Sequence, residues 1–212
     1  MRALMRKRPL PYDAAAARRH LLRTDGVIRN IVTACGPLGI EARGRPYEAL
    51  LRAILYQQLA GPAAAAIERR FLALFDGIPA PSPLAASSDE LLRTAGISRQ
   101  KASYMRSLGE HFASGELNDH RLMRAPDDEV IDTVTPVKGI GRWTADMLLM
   151  FCLGRPDVLP VGNLGIQNAM RAAYALPTVP KADEMLDLAE PWRPFRSAAS
   201  WYLWRHGDTV TM

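Results

Sequence analysis

A glycine turn at residues 138–142, with the sequence KGIGR, is the stretch of this chain best suited to bind a phosphate. Gly139 and Gly141 bracket Ile140, and because glycine has no β-carbon the backbone can adopt a positive φ there. A helix is predicted from about Arg142, so the turn leads into a helix N-terminus, where N–H groups and the helix dipole favour an anion. The predicted phosphate ligands are Lys138, Gly139, Gly141, Arg142 and Thr144. The alternative is a tight turn without a ligand.

A pair of glutamines, Gln57 and Gln58, ends another predicted helix at 47–59, beside Tyr56 and Leu59 and just before a Gly-Pro stop. Two polar side chains among large apolar ones at a helix end have two interpretations. They form either a solvated corner or a wedge that enters a stack of bases. The residues alone leave both open.

These stretches must be positioned by helices. Apolar residues recur at helical spacing and no long β alternation is present, which predicts an all-α protein of ten or so short helices. The predicted helices are about 13–23, 25–35, 47–59, 62–75, 88–96, 98–113, 117–124, 127–134, 142–152, 164–176, 181–189 and 197–205. Residues 77–83 are predicted to be a proline-rich loop, and residues 1–12 a disordered basic arm, because Pro9 and Pro11 oppose a helix.

Composition narrows the class of protein. The chain has 212 residues, 48% of them hydrophobic, and no apolar run reaches the ~20 residues of a membrane span. We therefore expect a soluble protein of the cytoplasm. The net charge is +5, and residues 1–45 carry ten Arg or Lys against three acids. A basic segment suits a phosphate backbone, although it also suits a solubilising surface.

Cysteine and histidine usage argues against a metal centre. The two cysteines, Cys35 and Cys152, lie in apolar sequence and are expected to be buried thiols. Two cysteines cannot hold a four-cysteine iron–sulfur cluster. The four histidines are not clustered, so no zinc site is expected.

The string Lys-Gly-Ile-Gly-Arg-Trp-Thr-Ala at 138–145 resembles the helix-hairpin-helix of the HhH-GPD superfamily of DNA glycosylases. With Trp143 it is similar to the 3-methyladenine DNA glycosylase II branch, and the resemblance runs from about Pro46 to Gly207. It implies two interleaved helical lobes, 46–155 and 1–45 with 156–212, with the base pocket in the groove between them. We do not expect the N-terminal β-domain of larger members, because a chain of this length has no room for it.

The function that the resemblance implies is base excision repair. The enzyme would flip an alkylated base, of the 3-methyladenine type or an etheno adduct, out of double-stranded DNA and hydrolyse its N-glycosidic bond. Aromatic rings stack well on electron-poor alkylated purines. Trp143 and Trp204 match family pocket positions, Met147 and Tyr56 are further candidates for the lining, and the wedge falls on Gln58 with Leu59 beside it. The alternative for each pocket candidate is ordinary core packing.

The departure from the family is Asn163. The family keeps an aspartate here, whose carboxylate stabilises positive charge on the sugar and orients water. Either the chain carries a natural or engineered Asp→Asn change, which impairs catalysis, or another carboxylate serves, with Asp157 and Asp146 the candidates. Bifunctional members carry a lysine where Trp143 stands, so the resemblance implies a monofunctional enzyme.

The resemblance implies no organic cofactor, and it implies a monovalent cation, Na⁺ or K⁺, at the hairpin, bound by backbone carbonyls of Val137 and Gly139 with Ile140 in the same turn. The partner would be duplex DNA with damaged bases, which implies a bacterial-type protein associated with the nucleoid, and the chain is assumed to be a monomer. Two other interpretations remain: a non-catalytic module of the same fold that recognises damaged DNA, and a plain helical interaction protein.

Overall fold

The fold is built almost entirely from helices, as a computed structural model shows for the backbone of residues 6–210 and the side chains of residues 6–207. Within that range there are thirteen α-helices, and the prediction of an all-α protein is confirmed. They are α1 (Ala14–Thr24), α2 (Gly26–Cys35), α3 (Pro46–Tyr56), α4 (Gly61–Leu74), α5 (Pro81–Ala85), α6 (Asp89–Thr94), α7 (Arg99–Ala113), α8 (Asp119–Arg124), α9 (Asp127–Val134), α10 (Arg142–Leu148), α11 (Leu164–Ala173), α12 (Ala182–Ala189) and α13 (Arg196–Val210). Among the described residues, none of these helices has the length and apolar character needed to cross a membrane.

Three short elements complete the secondary structure. A π-helical turn, Leu149–Leu153, continues α10, and a 3₁₀ turn, Glu190–Trp192, lies before α13. Two two-residue strands, β1 (Lys7–Arg8) and β2 (Ala42–Arg43), pair with each other. The prediction of a disordered arm is therefore wrong for residues 6–12, while residues 1–5 lie outside the described part of the chain. The strand pairing joins segments far apart in sequence, which local composition does not reveal.

The described residues form two compact units. The first consists of Arg6 and Arg43–Leu148, and the second of Lys7–Ala42 with the chain from Leu149 onward. The second unit thus takes its helices from both ends of the sequence.

In the first unit, α3 buries the face predicted from its apolar spacing, with Leu50, Leu51, Ile54 and Leu55 all buried. The segment 77–83, predicted to be a loop, instead leads into α5, which packs on α7. A β-carbon on Gly109 of α7 would lie 2.7 Å from the backbone nitrogen of Ala85, so glycine is what allows α5 to approach this closely. The Pro81 ring fits the first turn of α5, where no N–H is needed.

In the second unit, α2 is fixed by Asp25. One carboxylate oxygen accepts the Ile28 N–H at 2.7 Å as an N-cap, and the other accepts Tyr174 Oη–H at 3.0 Å and Trp192 Nε1–H at 3.1 Å. The fully buried Trp192 is a core residue of this unit. Of the two cysteines, both thiols, Cys152 is buried as predicted and Cys35 is only half-buried.

Candidate functional site

The hairpin turn of the first unit lies between α9 and α10, and glycine is required at only one of its two glycine positions. Gly139 has φ +80°, and a β-carbon there would lie 2.2 Å from the Tyr104 ring. Gly141 does not adopt a positive φ, and an added β-carbon would meet no atom within 4 Å. The prediction of a positive φ is confirmed at Gly139 and wrong at Gly141. At Gly141 the missing side chain leaves open space beside the backbone.

Positive charge stands at this turn. Lys138 is exposed, and its backbone N–H donates to Ser107 Oγ at 3.4 Å. Arg142 is exposed at the first position of α10, where the helical ladder starts with the bond from Ala145 N–H to the Gly141 carbonyl. The amides ahead of that bond lie at the positive end of the helix. Thr144 is buried, so its backbone N–H is better placed than its hydroxyl to contact a phosphate.

Asp146, one of the alternative carboxylates, is buried on α10. Desolvation by burial raises the pKa of this carboxyl, and the neighbouring Arg142 opposes the rise through a 3.0 Å bond from its Nε to Oδ1. The carboxylate is committed to an i,i+4 ion pair that holds an arginine beside the hairpin.

The loop that follows α3 presents the predicted wedge. The helix ends at Tyr56, three residues earlier than predicted, and Gln58 adopts the left-handed conformation with φ 56°. Gln58 is exposed, and Leu59 is 36% exposed. Residues other than glycine rarely adopt this backbone conformation, and such backbone strain is concentrated at functional sites.

Gln57 links this loop to the hairpin, which the sequence did not reveal. Its side-chain amide Nε2–H donates to the Gly139 carbonyl at 2.8 Å, and the side chain is half-buried. The two residues are 82 positions apart. The adjacent pair of glutamines was the available signal, but it did not show which one faces solvent.

The aromatic candidates of the first unit differ in their surroundings. Trp143 is 48% exposed, so it is not a core residue. Met147 is half-buried. The Tyr56 hydroxyl donates to Glu68 Oε2 at 2.7 Å, and the Arg52 guanidinium lies 4.1 Å from the ring centroid, which covers one face of that ring. Trp143 therefore offers the larger free stacking surface.

Asn163 lies in the second unit, as the N-cap of α11. Its Oδ1 accepts two hydrogen bonds, from the Ile166 N–H at 2.9 Å and from Trp204 Nε1–H at 3.0 Å. Because both partners are donors, they fix the orientation of the amide and place Nδ2 on the opposite side. The Trp204 ring also lies 5.9 Å, centroid to centroid, from Phe151. An aspartate would cap α11 equally well, so the local structure does not require an amide.

Asp157, the other alternative carboxylate, is held by two arginines. Arg196 donates to Oδ1 from Nε at 2.8 Å and to Oδ2 from Nη2 at 3.0 Å, and Arg193 also donates to Oδ2. A carboxylate bound by Arg193 and by Arg196, the first residue of α13, has a structural role. Both carboxylate oxygens of Asp157 are therefore engaged by arginine side chains.

The carbonyls predicted to bind a cation already accept hydrogen bonds. The Val137 carbonyl accepts the Ile140 N–H at 3.0 Å, and the Gly139 carbonyl accepts Gln57. Each carbonyl oxygen keeps a second lone pair, so the hairpin cation stays a prediction. Within the described residues, no group of three or more His, Cys, Asp or Glu side chains is arranged to hold a metal ion.

Comparison with known proteins assigns the family. Residues 51–194 match the model of the HhH-GPD superfamily of base excision DNA repair proteins. The chain belongs to this superfamily. The resemblance drawn from the hairpin string is confirmed.

Individual HhH-GPD relatives are similar over most of the chain. DNA-3-methyladenine glycosylase 1 of Schizosaccharomyces pombe is 39% identical over 163 residues, which cover 76% of this chain and 72% of that protein. The solved structure of the 3-methyladenine DNA glycosylase of the same yeast, in complex with abasic DNA, matches with a TM-score of 0.79 and 35% identity, covering 91% of this chain and 97% of that one. The DNA-3-methyladenine glycosidase of Bacillus halodurans matches with a TM-score of 0.82 and 33% identity, covering 100% and 94%.

Proposed function

We propose that this chain is a DNA glycosylase of the 3-methyladenine type whose base release is slowed by Asn163. It binds damaged duplex DNA as a monomer, flips the alkylated nucleotide out of the stack and hydrolyses its N-glycosidic bond. The proposal is supported by similarity to relatives named as 3-methyladenine glycosylases, one of them solved with abasic DNA. Etheno adducts are included in the proposed range of substrates.

The observation that carries the proposal is the pair formed by Asn163 and Trp204. Trp204 supplies an aromatic face for a flipped base, and its Nε1–H fixes the neighbouring amide at 3.0 Å. Base departure leaves positive charge on the sugar, which a carboxylate at this position would stabilise. An amide has no charge, and a charge pair at ~4 Å with an effective dielectric of ~20 is worth roughly 4 kcal/mol, about a thousandfold in rate.

The other assigned residues act before the chemical step. The hairpin at Gly139 and Gly141, with Lys138 and Arg142, binds the phosphate backbone, and Gln58 with Leu59 fills the space left by the flipped nucleotide. Trp143 stands where bifunctional relatives would carry lysine, and it has no amine to form a Schiff base. The DNA strand is therefore left uncut at the abasic site. Met147 and Tyr56 of the first unit are further proposed contacts of the base.

A second candidate is a module that recognises damaged DNA without cleaving the base, and Asn163 is the observation that favours it. Both candidates bind DNA, so affinity alone does not separate them. Single-turnover release of 3-methyladenine from duplex DNA, with the protein in excess, does. The glycosylase proposal predicts release above the spontaneous rate, whereas a recognition module would bind the same duplex and leave that rate unchanged.

Salt dependence tests the DNA-binding step itself. Each neutralised phosphate contributes about −0.9 to the slope of log K against log salt. We expect the Lys138→Ala variant to lower this slope in magnitude by about one unit for damaged and undamaged duplex alike, since a phosphate contact carries no base information. An unchanged slope would remove Lys138 from the backbone contact.

A further inference from the structure

We propose that Gln57 is a positioning residue that couples the exposed loop Gln58–Leu59 to the hairpin turn. The inference rests on the proposed function, because it takes the loop as the wedge and the turn as the phosphate-binding element. Its basis is one side-chain contact between two elements that belong to the same compact unit.

The contact joins the loop to Gly139, whose backbone is closely packed. The Gln57 amide donates to the Gly139 carbonyl at 2.8 Å. Gly139 is held at φ +80°, with the Tyr104 ring directly against the position of its missing β-carbon. Because this backbone atom is fixed, the hydrogen bond to it holds Gln57 in a defined position relative to the hairpin.

The other side of the contact leads directly into the wedge. Gln57 is the C-cap of α3, and its own N–H bonds to the Ala53 carbonyl at 3.1 Å. The preceding turn is held by Lys101, whose ammonium donates to the Leu55 carbonyl at 2.7 Å. Gln58 follows at once in the left-handed conformation. A strained residue persists only where its surroundings determine it, and Gln57 supplies that constraint from the hairpin side.

The consequence is that phosphate binding and wedge insertion occur as one rigid event. A hairpin seated on the backbone carries Gln58 to a fixed depth, so the entropy of ordering the loop is already lost in the free protein. Without the Gln57 donor, the hairpin still binds phosphate, but the loop must be ordered during insertion. Insertion therefore weakens while backbone binding is retained.

The test uses a duplex with a tetrahydrofuran abasic analogue opposite 2-aminopurine, whose fluorescence rises when a wedge unstacks it. The variants are Gln57→Met, which keeps side-chain length and removes the donor, Gln58→Ala, and the double variant. Gln100→Met is the matched control, because Gln100 is exposed and its amide donates to the Tyr104 hydroxyl, not to the hairpin backbone. Binding to undamaged duplex and the thermal midpoint are measured in parallel.

We expect Gln57→Met to lower the equilibrium constant for the fluorescence rise by about three- to tenfold, the effect of one hydrogen bond. Undamaged-duplex affinity should stay within about twofold, and the double variant should be no worse than Gln58→Ala alone, since both changes disable the same step. Gln100→Met should keep the full signal.

Three results would overturn the inference. A full signal in Gln57→Met with a reduced one in Gln58→Ala removes the coupling but leaves the wedge of the proposed function intact. Parallel loss of undamaged-duplex binding in Gln57→Met shows a purely structural role in holding the hairpin. A full signal in Gln58→Ala removes the wedge itself, and with it both the inference and that part of the proposed function.

Discussion

Asn163 satisfies the fold at the position where the proposed function places the catalytic group. As an N-cap it accepts the Ile166 N–H, which an aspartate would do equally well. At the proposed catalytic position it lacks the charge that the family aspartate carries. The N-cap role therefore does not distinguish asparagine from aspartate, and the two residues differ in charge.

The two hairpin glycines provide a prediction at the same scale. Gly139→Ala is expected to lower the free energy of unfolding by roughly 2–4 kcal/mol, because it combines a left-handed alanine with overpacking against Tyr104. Gly141→Ala should cost less than about 1 kcal/mol, since its β-carbon meets no atom within 4 Å. Urea unfolding measures both.

Affinity for undamaged duplex DNA gives a second test of the hairpin, in which the effect of Gly141→Ala is on binding and not on stability. Gly141→Ala, although stable, places a methyl group where the phosphate is proposed to approach, so its binding should weaken. Equal stability losses in the two variants, or unchanged binding in Gly141→Ala, would contradict this account of the turn.

At the scale of elements, α5 shows what sequence patterns miss. Residues 77–83 were expected to form a proline-rich loop, and a five-residue helix has too few positions to display an apolar period. Its position depends instead on Gly109, which lies far along the chain on α7. A glycine within a strongly helical stretch was the available signal, since such residues often mark a close approach of backbones.

The α5–α7 contact gives a second prediction. Gly109→Ala is expected to lower the free energy of unfolding by about 1–3 kcal/mol, because the new β-carbon would lie 2.7 Å and 2.8 Å from backbone atoms of Ala85 and Pro81. Gly26→Ala, at the first position of α2 with no atom within 4 Å, is the control and should be neutral or slightly stabilising. A neutral Gly109→Ala would show that α5 shifts without cost.

Prediction from sequence succeeded where the signal was local. The amphipathic helices were anticipated from apolar spacing, and the family from the string at 138–145. Two contacts between distant segments were not predicted. They are the pairing of Lys7–Arg8 with Ala42–Arg43 and the hydrogen bond from Gln57 to Gly139 across 82 positions. These contacts depend on tertiary structure, for which a single sequence carries no periodic pattern.

For the whole molecule, membership of the HhH-GPD superfamily and the presence of Asn163 give opposite indications of activity. The superfamily match spans residues 51–194 and favours base excision, whereas the amide favours recognition without efficient cleavage. The two indications are reconciled if the chain binds and flips as its relatives do and is slow only in the final step. Restoring a single charge would then restore the reaction.

The decisive measurement is single-turnover release of 3-methyladenine, with 1,N6-ethenoadenine as a second lesion, by this chain and by its Asn163→Asp variant. The account predicts release about a thousandfold faster by the Asn163→Asp variant, at equal DNA affinity and with an unchanged unfolding midpoint, because the N-cap is preserved. Equal rates in the two proteins would contradict it, since the catalytic carboxylate would then lie elsewhere in the chain.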